Sequence, residues 1–172
     1  GGRFEVTRIA ATGTAASLAG PWKFDGGALA GGRQIGFRLS AGQVDGGFGV
    51  KLQANAADDP ATLALDAVTR VTDGTPGLTG TLSLERREPR AGVPAALGGG
   101  VFRLDGRVVA NFAGFGLAEA TLALGPGERA QPLTGEAQFG FGSERRFEVR
   151  LAARQVDLDR LAAAADERSR PT

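Results

Sequence analysis

Asp157 and Asp159, in the segment VDLDRL, are the carboxylates best spaced to hold a metal. A hard cation wants six or more oxygens with several carboxylates converging on it. Only these two lie in local reach, and a helix N-cap uses the same residue type in the same place. Asp58-Asp59 stands just before Pro60, a position where aspartate side chains serve turns. Glycine runs raise the question of a phosphate cradle. Gly98-Gly99-Gly100 leads into a strand pattern rather than a helix N-terminus, and no Gly-Lys-Ser/Thr follows it. The aligned amides that hold a phosphate are therefore missing. Gly114-Phe115-Gly116 and Gly140-Phe141-Gly142 sit among strands and read as turns, bulges or close packing.

The other chemical candidates have plain structural readings beside the functional ones. Arg86-Arg87 with Arg90, and Arg145-Arg146, form small basic clusters. Arginine pairs well with lipid phosphate, but charges at strand ends also keep sheet edges solvated. Trp22, after Pro21, suits a packing anchor or a sugar-stacking platform. Ser17, Ser40, Ser83, Ser143 and Ser169 lack a G-x-S-x-G context, and the chain has no His to activate a hydroxyl. Absence of His removes the commonest general base near neutral pH, and absence of Cys removes thiol catalysis, thiolate metal sites and disulfides. A carboxylate pair for glycoside hydrolysis would be a spatial pairing, and no pair stands out. No catalytic residue, metal ligand or cofactor is assigned, and no enzyme is expected.

These residues have to be positioned by strands. VFRLDGRVVANF, AEATLALG, LTGEAQFGFG and RRFEVRLAARQVDLDRL alternate apolar with polar residues between Gly-rich breaks. Phe102, Leu104, Val108, Ala110 and Phe112 share one parity, and Arg103, Asp105, Arg107 and Asn111 share the other. Successive strand side chains point to opposite faces, so this is a sheet with one wet and one apolar side. RQIGFRLS, FGVKLQANA, TLALDAVTRV and LTGTLSLERR repeat the pattern upstream. Asp45-Gly46, Asp73-Gly74 and Pro76-Gly77 punctuate it as turns. About ten strands at turn spacing, with no strand–helix–strand rhythm, predict an all-β fold. One short C-terminal helix is expected in VDLDRLAAAADERSR, capped by Asp157 or Asp159.

Composition sets the remaining bounds. With 20 basic and 19 acidic residues the net charge is +1, which gives no electrostatic drive toward nucleic acid. No stretch approaches the roughly 20 apolar residues of a membrane-spanning helix. The chain starts Gly1-Gly2 and contains no Met, so it is expected to be a fragment or an excised domain. The organisation reads as a first β segment over 1–87, a Gly/Pro-rich connection over 88–100, and a second β segment over 101–172. LTGTLSLER at 78–86 and LTGEAQFGFGSER at 133–145 hint that the second echoes the first.

LAGPWKFDGGALAGGRQIGFRLSAGQVDGG, TPGLTGTLSLER and PLTGEAQFGFGSERRFEVRLAARQVDLDRL resemble AsmA-type proteins, the AsmA/TamB superfamily of Gram-negative bacteria. The likeness covers roughly residues 12–162: Gly-bounded strands, alternating Phe and Leu, and a closing DLDRL. The resemblance implies an inner-membrane anchor outside this chain and a location in the periplasm. It also implies a repeating, elongated and curved antiparallel sheet, a taco-like groove passing phospholipid in outer-membrane biogenesis. It carries over no catalytic residue.

The apolar faces have two physical solutions, a dry core between two sheets of a β-sandwich or an open surface that holds an apolar ligand. In the second, the acyl chains of a phospholipid are expected against Phe37, Leu39, Phe48, Val50, Leu52, Phe102, Leu104, Val108, Phe139, Phe141, Val149 and Leu151. Headgroups would lie at the wet rim, and the membranes would be reached through parts of the protein outside this chain. The alternative function is a structural or adhesive β module with no ligand.

Overall fold

A computed structural model describes residues 6–17, 19–93, 99–125, 131–141 and 146–153. These form strands β1 (Val6–Ala15), β2 (Trp22–Ala30), β3 (Arg33–Val44), β4 (Gly47–Ala56) and β5 (Asp59–Thr72). There follow β6 (Thr75–Arg86), β7 (Phe102–Asn111), β8 (Gly114–Leu124), β9 (Gln131–Gly140) and β10 (Arg146–Ala153). All belong to one 10-stranded sheet whose spatial order is the chain order, with every neighbouring pair antiparallel. Among the described residues there is no helix. The expected C-terminal helix, with Asp157 and Asp159, lies outside the described residues, as does Arg145.

Local chemistry explains the up-and-down path. Two-residue hairpins of type I′ need positive φ at both central residues to match strand twist. Gly31 and Gly32 supply φ of 56° and 80°, and Asp73 and Gly74 supply 51° and 74°. At the β7–β8 turn the Asn111 carboxamide oxygen accepts from the Ala113 and Gly114 amides at 2.8 and 3.1 Å, a side-chain-built turn. The long connection after β6 folds back, its Arg90 amide donating to Gly99 O at 2.8 Å. The sheet continues across it without a break, with β6 and β7 in register from Gly77↔Asn111 to Arg86↔Phe102.

Register turns the alternation into rows. Residues directly opposite on neighbouring strands share a face. One row runs Gly26, Phe37, Ala54, Leu63, Leu84, Leu104, Leu122, Leu133 across eight strands. Beside it lies Phe24, Leu39, Leu52, Leu65, Leu82. A third row runs Trp22, Ala41, Val50, Ala67, Gly80, Val108, Leu117, Ala137, Val149. A fourth runs Phe48, Thr69, Leu78, Ala110, Phe115, Phe139, Phe147. In β8 a bulge with Glu119 at φ 52° adds a residue between Leu117 and Ala120. That shift keeps Phe115 and Leu117 on the same face as Leu122 and Leu124, although their parities differ.

The described strands do not form a β-sandwich: they make one open sheet, and their contacts run between sequence neighbours instead of across two stacked layers. The core is accordingly thin. Its buried apolar residues are Ala67, Val108, Leu117 and Ala120, with Val108 only 1% exposed. They sink because glycines beside them leave room. A Cβ on Gly80 would strike the backbone of Asp66 and Ala67, and one on Gly106 would lie 2.8 Å from Leu117 Cδ1. Phe37 covers Gly26 in the same manner, with its Cζ where a side chain would otherwise stand.

The opposite face is a ladder of ion pairs. Arg38 bonds its cross-strand partner Asp25 at 2.7 Å, and Lys51 bonds its partner Asp66 at 2.9 Å. Arg107–Glu119 and Arg150–Glu136 extend the pattern at 2.9 and 3.1 Å. All of these side chains are exposed, so solvent screens each pair and the ladder chiefly fixes which face is wet.

Candidate functional site

The apolar face carries the sequence-predicted residues. Phe37 and Leu104 share one row, and Leu39 and Leu52 share the next. Val50, Val108 and Val149 share the third row, and Phe48 and Phe139 the fourth. Phe102 lies opposite Arg86 at one end of the face, and Leu151 opposite Gly135 near its β10 edge. Phe141 follows β9, its ring edge-on to Phe139 at 5.5 Å, and is exposed. Register therefore brings the set together. Burial divides it: Val108 is sealed by its neighbours, the inner-strand residues are half-buried, and Val149 and Leu151 are exposed.

Leu63, Leu65, Leu82, Leu84, Leu122 and Leu133 complete the same rows and belong to the site as much as the residues named from sequence. Their parity was visible, but membership of a common row depends on strand register, which only pairing supplies. Phe115 joins through the Glu119 bulge.

One end of the face is closed by a charged cluster that sequence spacing could not reveal. Asp59 and Arg86 stand 27 residues apart, both buried at 7% exposure. Arg86 donates twice to the Asp59 carboxylate, Nε to Oδ1 at 2.8 Å and Nη2 to Oδ2 at 2.7 Å. Its Nη1 donates to Gly100 O at 3.2 Å, and its guanidinium lies over the Phe102 ring at 5.0 Å. Asp59 also accepts from the Ala61 amide at 3.1 Å and from Arg33 Nη2 at 3.2 Å. Arg33 and Arg90 both bond Asp58. Asp58-Asp59 thus does more than shape a turn, and Arg86 is no solvated strand-end charge.

These bonds pull the Asp59 carboxyl down from 3.8 to about 2, first through Arg86 and then Arg33, against the opposing effect of burial. A lowered folded-state value means the charged form is favoured by folding. That stability is present above about pH 4 and is lost as pH falls through about 2. Urea midpoints measured over this range should fall for the native chain, and Asp59→Asn should remove that part of the fall.

What the arrangement can do chemically is limited. No buried side-chain nitrogen or oxygen among the described residues lacks a partner, and no group of three or more metal-type ligands occurs among them. A hollow of about 780 Å³ lies on the polar face, lined by Arg38, Lys51, Asp66, Asp105, Arg107 and Glu119 among others. Three cations and three anions there are already paired, with Asp105 bound to Arg103 at 2.6 Å. It holds no excess charge of either sign to select a ligand. The apolar face is the stronger candidate because its unpaired quantity is hydrophobic area.

No family model, no curated protein and no solved structure matches this chain.

Proposed function

We propose that this chain is a non-enzymatic binding surface for phospholipid acyl chains, a groove segment of an AsmA-like periplasmic protein. The observation that carries this reading is a continuous apolar face over a single 10-stranded sheet, with no described element packed upon it. Strands about 4.8 Å apart give the face a width of about 43 Å, and strands of at least 8 residues give it about 26 Å of length. The product, about 1,100 Å² by that spacing, is the footprint on which the half-buried apolar rows stand uncovered by any described element.

Acyl chains laid on this face would gain about 25 cal/mol for each Å² of apolar surface removed from water. Headgroups belong at the rim. There the more accessible guanidinium groups of Arg33 and Arg90, which bond Asp58, offer donors to a phosphate. The resemblance to AsmA-type proteins adds the compartment, the tether to the inner membrane through a segment outside this chain, and a role in outer-membrane biogenesis.

Native mass spectrometry after mild purification from a Gram-negative host should show co-purified phospholipid. A lipid-free protein that also fails to take up added phospholipid would favour the structural or adhesive module instead.

A further inference from the structure

We infer that β10 is a pairing edge for a second copy of this chain, joined antiparallel about a two-fold axis at Val149. The two outer strands of the described sheet differ. β1 is interrupted by a bulge, with Arg8 at φ 50° and a register shift between Thr7 and Ala10. Bulges of this kind blunt an edge against further pairing. β10 runs in unbroken register with β9 from Arg146↔Gly140 to Ala153↔Leu133, and it contains no proline. Among the described residues it has no bulge and no covering element, and its only edge protection is the charge on Arg146, Glu148 and Arg150. Its Phe147, Val149 and Leu151 are 70%, 43% and 58% exposed on the apolar face.

Charge order selects the occupant and the register. Arg146, Glu148 and Arg150 alternate with those apolar residues along the strand. With the axis at Val149, Glu148 of each copy faces Arg150 of the other, Phe147 faces Leu151, and Val149 faces itself. Arg150 already bonds Glu136 on the β9 side at 3.1 Å and Glu148 of its own strand at 2.7 Å, so pairing would exchange the second bond for one between copies, and the polar row across the junction would read Gln138, Glu148, Arg150, Glu136. Moving the axis one residue to Glu148 sets Glu148 against itself and Arg146 against Arg150. Moving it to Arg150 sets Arg150 against itself. Opposite charges directly across a strand pair stabilise and like charges destabilise, so the strand is self-complementary in the Val149 register. Such an interface uses the same patch on both copies and closes as a dimer. It would continue the apolar face of one copy into that of the other.

Sedimentation equilibrium on the full chain should show a monomer–dimer equilibrium. Glu148→Arg, at a half-buried position, and Arg150→Glu, at an exposed one, should each abolish the dimer while circular dichroism stays unchanged. Mixing the two variants should restore a heterodimer, because every facing pair is again of opposite sign. The native chain has no cysteine, so Val149→Cys should give a disulfide-linked dimer on mild oxidation. Phe147→Cys should give one only when mixed with Leu151→Cys. A dimer indifferent to both charge reversals would overturn the inference. So would a monomer at all concentrations whose β10 amides are protected from exchange, since another segment would then cover the edge.

Discussion

Replacing Arg86 with leucine is expected to lower the unfolding free energy by about 3 kcal/mol, the lower end of the range for removing one partner of a buried ion pair. The loss is large because Asp59 stays behind, buried, with two of its accepted hydrogen bonds gone. It stops short of the upper end because Arg33 remains 3.2 Å from the same carboxylate. Against a typical total of about 5–15 kcal/mol, such a change removes a substantial part of the protein's stability. Adding Asp59→Asn to Arg86→Leu should cost less than the sum of the two single changes, by about 2 kcal/mol of coupling. Urea denaturation of the four proteins at neutral pH measures both quantities. Additive effects, or a loss below about 1 kcal/mol for Arg86→Leu, would mean the pair behaves as an ordinary surface contact.

The second large effect concerns binding. Leu84 is half-buried on the apolar face between Leu63 and Leu104. Leu84→Glu should weaken acyl-chain binding by about 10- to 100-fold, the equivalent of losing about 1.5–3 kcal/mol of leucine burial. Gln53→Glu, on the polar face, should leave binding unchanged. The same Leu84 variant should stay folded, because a carboxylate on an uncovered face can still reach water. In a closed two-layer core that carboxylate would be stranded among apolar groups, at a cost well above about 3 kcal/mol. Binding lost with the fold kept supports an open face, whereas unfolding supports a closed one.

The strands were legible because alternation is a local property. RQIGFRLS and FGVKLQANA read as β3 and β4 directly, and Asp73-Gly74 reads as the turn it makes. Three features were not legible, each because it depends on residues distant in sequence or on a change of parity. The Glu119 bulge alters the face of half of β8, so simple alternation assigns Phe115 and Leu122 to opposite sides. The Asp59–Arg86 bond needs the β5–β6 register that places Ala61 opposite Arg86. Whether the apolar sides meet in two layers or lie in one sheet depends on long-range pairing, since either arrangement satisfies the same period of two. The twelve candidate residues were chosen by side-chain type along the strands. Pairing then sorted them by depth, sealing Val108 while leaving Leu151 exposed.

Trp22 offers the most direct test of the central claim that the apolar face holds acyl chains. It is the only tryptophan in the chain, lies in the row that includes Val50 and Val149, and packs 5.2 Å from Phe48. Phospholipid brominated along its acyl chains should quench Trp22 fluorescence saturably, while the same lipid without bromine should not. Saturable quenching that weakens in Leu84→Glu and persists in Gln53→Glu is the predicted result. Absence of quenching at lipid concentrations that saturate any detectable binding would contradict the account.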